Sequence, residues 1–189
     1  GVYDKNRPFI LTSSPSMDIL ISSNLERLLY SVCGSDTEVA GYMAELAGTG
    51  RYEVSDAVKA VIGKHFVGGY CSDDETKSAI NKVYTENGYL MDTHTAVAYN
   101  KLAAYRKDTG CVTPAVVVST ASPYKFCNSV LQALGQESDA PGTELIEKLS
   151  EVTKTAIPKP LKGLDKREKR FELVVDKPEM KATVADFLK

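Results

Sequence analysis

Ala115-Val116-Val117-Val118-Ser119-Thr120-Ala121-Ser122-Pro123-Tyr124-Lys125-Phe126 decides how this chain is expected to fold. An apolar, β-branched run stops at a cluster of small hydroxyl residues. Pro123 then follows Ser122, as at the first position of a helix behind its cap. The pattern predicts a buried strand, a tight turn and a helix. In open α/β sheets, ligands bind in the crevice beyond the carboxyl ends of the strands. Ser119, Thr120 and Ser122 would present hydroxyls at that place. The same residues also fit a plainer role, with Ser122 capping a helix and Ser119 and Thr120 filling a turn.

Outward from this stretch the chain alternates helices with scattered apolar runs, which gives α/β. Ile21, Leu25, Leu28 and Leu29 have helical spacing. Asp36 caps a helix running to about Leu46, and Ser55-Asp56 caps a short one through Lys64. Phe66 to Cys71 is expected as a strand with the glycine pair Gly68-Gly69. Ser72-Asp73-Asp74-Glu75 opens a clear helix that Asn87-Gly88 closes. Thr93 or Thr95 caps the next, which ends near Lys107. Further helices are expected from Pro123 to about Leu134, over 143–155 and over 178–188. Residues 156–160 read as an extended connector, residues 162–170 as a charged solvated surface, and Phe171 to Val175 as an edge strand.

The 189 residues suit one domain with a real core. Hydrophobic content of 43% and charged content of 25% are ordinary for a globular protein. A formal net charge of -2 gives no reason to expect nucleic acid, and no basic arm asks for a membrane. No apolar run is long enough to span a bilayer, and the first residues lack the layout of a signal peptide. The expected location is cytoplasmic. Cys33, Cys71, Cys111 and Cys127 form no C-x-x-C pair, and His65 and His94 lie far apart. Free thiols are expected, and no metal site.

Three motifs carry possible chemistry. Ser22, Ser23, Asn24 and Arg27 gather hydroxyls, an amide and a guanidinium near a helix start, a set that suits phosphate. They equally suit a solvated face with Arg27 in an ion pair. His94 falls at a helix N-terminus, where it faces a ligand or makes a structural hydrogen bond inside the turn. Ser122-Pro123-Tyr124-Lys125 matches S-x-x-K, the nucleophile signature of penicillin-interacting acyl enzymes, but the S-D-N and K-T-G companions are absent. The acidic Asp73-Asp74-Glu75 reads as helix-start carboxylates, because no calcium-loop spacing follows. No P-loop, G-x-G-x-x-G or G-x-S-x-G occurs.

Three phrases together resemble threonine synthase, of the bacterial and fungal branch. They are Ser14-Pro15-Ser16-Met17-Asp18-Ile19-Leu20-Ile21-Ser22-Ser23-Asn24-Leu25-Glu26-Arg27-Leu28, then Gly88-Tyr89-Leu90 with Asp92-Thr93-His94-Thr95-Ala96-Val97-Ala98, then Ser119 to Phe126. Their order and spacing follow the family, and the likeness continues to Phe187-Leu188. The resemblance implies a pyridoxal 5'-phosphate enzyme of the tryptophan synthase β-like fold (fold-type II), with a partial, mostly parallel sheet flanked by helices. It implies a lyase converting O-phospho-L-homoserine and water to L-threonine and phosphate.

The family's Schiff-base lysine and its cofactor-phosphate loop match nothing here, and Lys125 is not that lysine. The resemblance therefore implies a C-terminal fragment, catalytically inactive alone, whose partner is the N-terminal half of the same enzyme. Residues 1–140 would form the core with its cofactor-facing strand end, and residues 141–189 a C-terminal extension. Thr120 matches the threonine whose hydroxyl meets the cofactor's pyridine nitrogen, and His94 matches a position near the cofactor ring. Ser22, Ser23, Asn24 and Arg27 remain candidates for the substrate phosphate, from their chemistry alone. Some relatives carry histidine in place of Ser122, so no catalytic role falls to it. The competing expectations are a non-catalytic binding or assembly module, a serine acyl enzyme using Ser122 and Lys125, and a related pyridoxal phosphate lyase such as threonine dehydratase.

Overall fold

Hydroxyl and carboxylate caps set where most of the long helices begin. The structure is a computed structural model describing residues 1–137, 139–168 and 170–189. After α1 (Leu25–Cys33), the Ser35 hydroxyl accepts from the Glu38 amide and starts α2 (Asp36–Gly48). Ser55 does the same for α3 (Asp56–His65) through the Val58 amide. Ser72 and Glu75 form a reciprocal capping box at α4 (Asp73–Asn87), and Gly88, with φ 66°, ends it in the left-handed region. Asp92 caps α5 (Thr93–Thr109). The cap thus precedes both expected threonines, and Ser35 rather than Asp36 caps α2. In each case an earlier side chain reaches the free amides of the first turn.

A 3-10 turn (Pro123–Lys125) leads into α6 (Cys127–Ala133), followed by α7 (Glu144–Thr153) and α8 (Met180–Phe187). Among the described residues the sheet has two strands, β1 (Val2–Asp4) and β2 (Arg51–Glu53), paired antiparallel with Tyr3 opposite Tyr52. This corrects the expected, mostly parallel sheet. The run at 115–118 lies in no ladder, and Val116 and Val118 are 89% and 67% exposed. A valine run supplies strand propensity but cannot supply the neighbour whose backbone groups complete a ladder. The same holds for residues 66–71 and 171–175, which also lie outside any strand. Lys169, within the charged stretch expected to be solvated, falls outside the described residues.

Two apolar clusters hold the chain. In the larger, Ile80 and Val83 of α4 meet Ala96 of α5, Val130 and Leu131 of α6, and Leu149 of α7. Helix α7 therefore shares one core with α4 to α6. The smaller cluster joins Leu29, Tyr42, Val54 and Val58 around Tyr52. Tyr52 stacks between Tyr3 at 4.9 Å and Tyr42 at 5.4 Å between ring centroids. The segment before α1 crosses to the larger cluster: the Ser13 amide and hydroxyl each donate to Asp73 Oδ1 at 2.9 Å. Among the described residues no helix is long and apolar enough to cross a membrane.

Candidate functional site

The N-terminus of α5 gathers the expected site residues from three parts of the chain. Asp92 is completely buried. Burying a carboxylate requires compensating donors, and this one has them. Its Oδ1 accepts from the His94 amide at 2.9 Å and the Thr95 amide at 3.3 Å. His94 Nδ1 lies 3.2 Å from the same oxygen. Oδ2 accepts a short bond from the Thr95 hydroxyl.

These contacts determine the proton positions. His94 Nε2 lies 3.1 Å from the Ser16 amide, which can only donate, so Nε2 is the acceptor. The ring proton therefore sits on Nδ1, facing Asp92. Thr95 has one hydroxyl proton and gives it to Asp92. The Ser119 hydroxyl oxygen, 3.2 Å from Thr95 Oγ1, is the second acceptor within reach of the Thr95 hydroxyl. The His94 ring also packs on Phe126, with centroids 4.7 Å apart and planes tilted by 50°. Both ring nitrogens are engaged within the chain. The imidazole joins the turn at Pro15–Met17 to α5.

Thr120 follows immediately on this anchored Ser119. It is exposed, and its hydroxyl makes no hydrogen bond among the described residues. On its other side the Ser122 hydroxyl accepts from the Tyr124 amide at 3.3 Å. The Tyr124 hydroxyl in turn donates to the Thr155 carbonyl at 2.8 Å. Thr120 is therefore a free hydroxyl on a backbone held from both directions. Ser122 serves as a cap. Lys125 is exposed, with its ammonium 5.8 Å from the Phe126 ring centroid, and makes no hydrogen bond with Ser122. The geometry gives the S-x-x-K reading no nucleophile–base contact.

Ser22 and Ser23 lie elsewhere, beside the smaller core. With Glu26, Leu46 and Tyr52 they line a small pocket of about 160 Å³. Asn24 sits at the start of α1 with helical angles (φ -68°, ψ -19°) and no side-chain cap bond. Asn24 and Arg27 are exposed and do not line this pocket, and Arg27 forms no ion pair among the described residues. The expected phosphate group is thus divided between a pocket wall and a solvent face.

Sequence reasoning missed Tyr52. Its phenol oxygen is buried without a hydrogen-bond partner. Burial first, then Tyr3, Glu26 and Tyr42, push its pKa up to about 12. The only signal was Tyr52 inside Arg51-Tyr52-Glu53, a short alternation too brief to distinguish a strand from a loop. Ser14 is also buried, with its Oγ unpartnered, on the wall of a cleft of about 880 Å³ that includes Asp18, Cys71, Asp73 and Thr76. Burial raises the pKa of the Cys71 and Cys127 thiols, whereas hydrogen bonding from Thr113 lowers that of Cys111.

A family model for the C-terminal part of threonine synthase matches residues 95–185, a span that includes α5 from its first turn, the Thr120 loop, α6, α7 and most of α8. Threonine synthase from yeast superposes on the whole chain with a TM-score of 0.81 at 28% identity. The chain belongs to the threonine synthase family. PLP-bound threonine synthase from Brucella melitensis matches 83% of the chain at 35% identity, with a TM-score of 0.65. Human threonine synthase-like 1 is 38% identical over 137 residues, 71% of this chain. The chain spans 38%, 32% and 18% of the lengths of these three relatives, respectively. What it matches is the C-terminal part of the family, with an α/β, helix-rich fold.

Proposed function

We propose that this threonine synthase family chain is the C-terminal part of an enzyme converting O-phospho-L-homoserine and water to L-threonine and phosphate. The observation that carries this is the free, exposed Thr120 hydroxyl on a loop tied to Asp92 through Ser119 and Thr95, and to Thr155 through Tyr124. Such a hydroxyl fits the pyridine nitrogen of pyridoxal phosphate. It can donate a hydrogen bond there, and an alcohol is too weak an acid to hand its proton over. With that hydroxyl as its partner, the ring nitrogen would stay neutral. When bound, the cofactor supplies the electron sink for the substrate carbanion. Of the candidates for the substrate phosphate, Ser22 and Ser23 line a pocket, whereas Asn24 and Arg27 face solvent and would have to turn towards it to take part.

The partner in this reading is the N-terminal half of the same enzyme. The exposed valines at 116 and 118, in no ladder among the described residues, favour it, because a run with strand propensity and open backbone groups seeks a neighbouring strand. Residues 141–189 form an extension anchored to the core by α7. The protein works in the cytoplasm.

The test is phosphate release from phosphohomoserine by the protein at its natural length, with pyridoxal phosphate. Thr120→Val should lower turnover on the order of 100-fold, as loss of a hydrogen bond to the reacting system does. Residues 1–189 alone should release none. Turnover in Thr120→Val equal to the parent, or turnover by residues 1–189 alone, would overturn the proposal.

A further inference from the structure

We propose that His94, oriented by Asp92, is a positioning residue that clamps the Pro15–Met17 turn against the loop carrying Thr120. Its relevance to catalysis rests on the reading of Thr120 above, but the clamp itself does not. The imidazole reaches both sides. Nε2 accepts the Ser16 amide at 3.1 Å, across 78 residues of sequence. The ring face packs on Phe126, which closes the 3-10 turn directly after Thr120 and Ser122, at 4.7 Å. Asp92 Oδ1 holds Nδ1 at 3.2 Å and so leaves Nε2 unprotonated. Only this tautomer satisfies both nitrogens at once.

The other oxygen of Asp92 runs through Thr95 to Ser119, one residue before Thr120. One buried carboxylate therefore fixes both ends of the arrangement. His94 acts through the turn and the ring contact, with no nitrogen left for a ligand. The Pro15–Met17 turn it holds lies beside the Ser14 wall of the large cleft, so release of the turn would open that wall.

Ser16 is exposed as a residue, so its amide owes its protection from exchange to this one bond. The experiment is hydrogen–deuterium exchange at the Ser16 amide in the protein at its natural length, without added cofactor. His94→Ala should speed that exchange on the order of tenfold. His94→Gln, whose side-chain oxygen can accept near the Nε2 position, should restore most of the protection. The Val130 amide, bonded to the Phe126 carbonyl within α6, should keep its parent rate in both variants and report an intact fold. Unchanged Ser16 exchange in His94→Ala would overturn the clamp, and so would a Gln variant as fast as the Ala variant. A clamp that behaves as stated in a parent protein that binds no pyridoxal phosphate would leave the clamp standing and refute the cofactor reading.

Discussion

Replacing Asp92 tests whether one buried carboxylate organises the start of α5. Alanine removes an acceptor from two amides, one hydroxyl and one ring N–H. Loss of an exposed helix cap costs about 1 kcal/mol. Here the amides of His94 and Thr95 belong to buried residues, so water cannot replace the carboxylate. Each buried donor left without a partner costs roughly 1–3 kcal/mol. The Thr95 hydroxyl can turn towards Ser119, and the His94 ring proton retains Thr93 Oγ1 at 3.3 Å. The two amides then dominate, for about 4 kcal/mol in all.

Asparagine keeps a carbonyl oxygen for the two amides and loses the charge, a change of about 1–2 kcal/mol. With a urea dependence of roughly 2 kcal/mol per molar, Asp92→Ala should lower the unfolding midpoint by about 2 M, and Asp92→Asn by less than half of that. Far-UV circular dichroism along a urea titration reads both. An alanine shift under about 0.5 M, or an asparagine variant no better than alanine, would refute the assignment of Asp92 as the buried cap.

Thr120→Val should leave the unfolding free energy almost unchanged, within about 0.5 kcal/mol, because the exposed hydroxyl makes no hydrogen bond among the described residues. A large loss of stability would show that Thr120 has a structural partner. Leu149→Ala, at a fully buried position shared by α4, α6 and α7, should cost about 2–5 kcal/mol by calorimetry or urea titration. Tyr52 should keep its phenol proton until about pH 12 in an ultraviolet titration, against an ordinary value of 10.0. The stability tied to that proton is intact below pH 10 and is lost as pH rises through about 12, because the unfolded chain releases the proton first. Tyr52→Phe should flatten that alkaline slope; a slope equal to the parent's would refute it.

How much of the molecule was legible in the sequence follows from how local each signal is. Ser72 and Glu75 satisfy each other within one turn, so the start of α4 could be read directly, as could its end at Asn87-Gly88. The cap of α5 is Asp92 and not Thr93 or Thr95, although all three can accept from nearby amides. Burial decided among them, and burial depends on α4, α6 and the turn at Ser16. The valines at 115–118 were read as a strand from propensity, but pairing is a property of two segments. That Thr120 lies in exposed, irregular chain was legible because it falls between an apolar run and Ser122-Pro123. Tyr52 carried no such mark: its stacking on Tyr3 and Tyr42 joins positions scattered between residues 3 and 52.

The same distinction separates two kinds of order around the candidate site. Asp92, His94, Thr95, Ser16 and Ser119 satisfy one another inside this chain, with almost every polar group matched. Thr120, Val116 and Val118 lie beside them and are matched by nothing among the described residues. A mutually satisfied network whose centre, Asp92, His94 and Thr95, is buried is costly to rearrange, since breaking a central member strands the others. An exposed hydroxyl beside such a network costs little to leave free and needs little reorganisation to engage a ligand. Placing the unmatched group one peptide bond from the matched one lets the scaffold set its position while leaving its hydrogen bond unspent. Rigid support for a donor whose partner arrives from outside the chain is what preorganised binding of a cofactor requires. This arrangement, more than the presence of a threonine at position 120, supports assigning that hydroxyl to the cofactor.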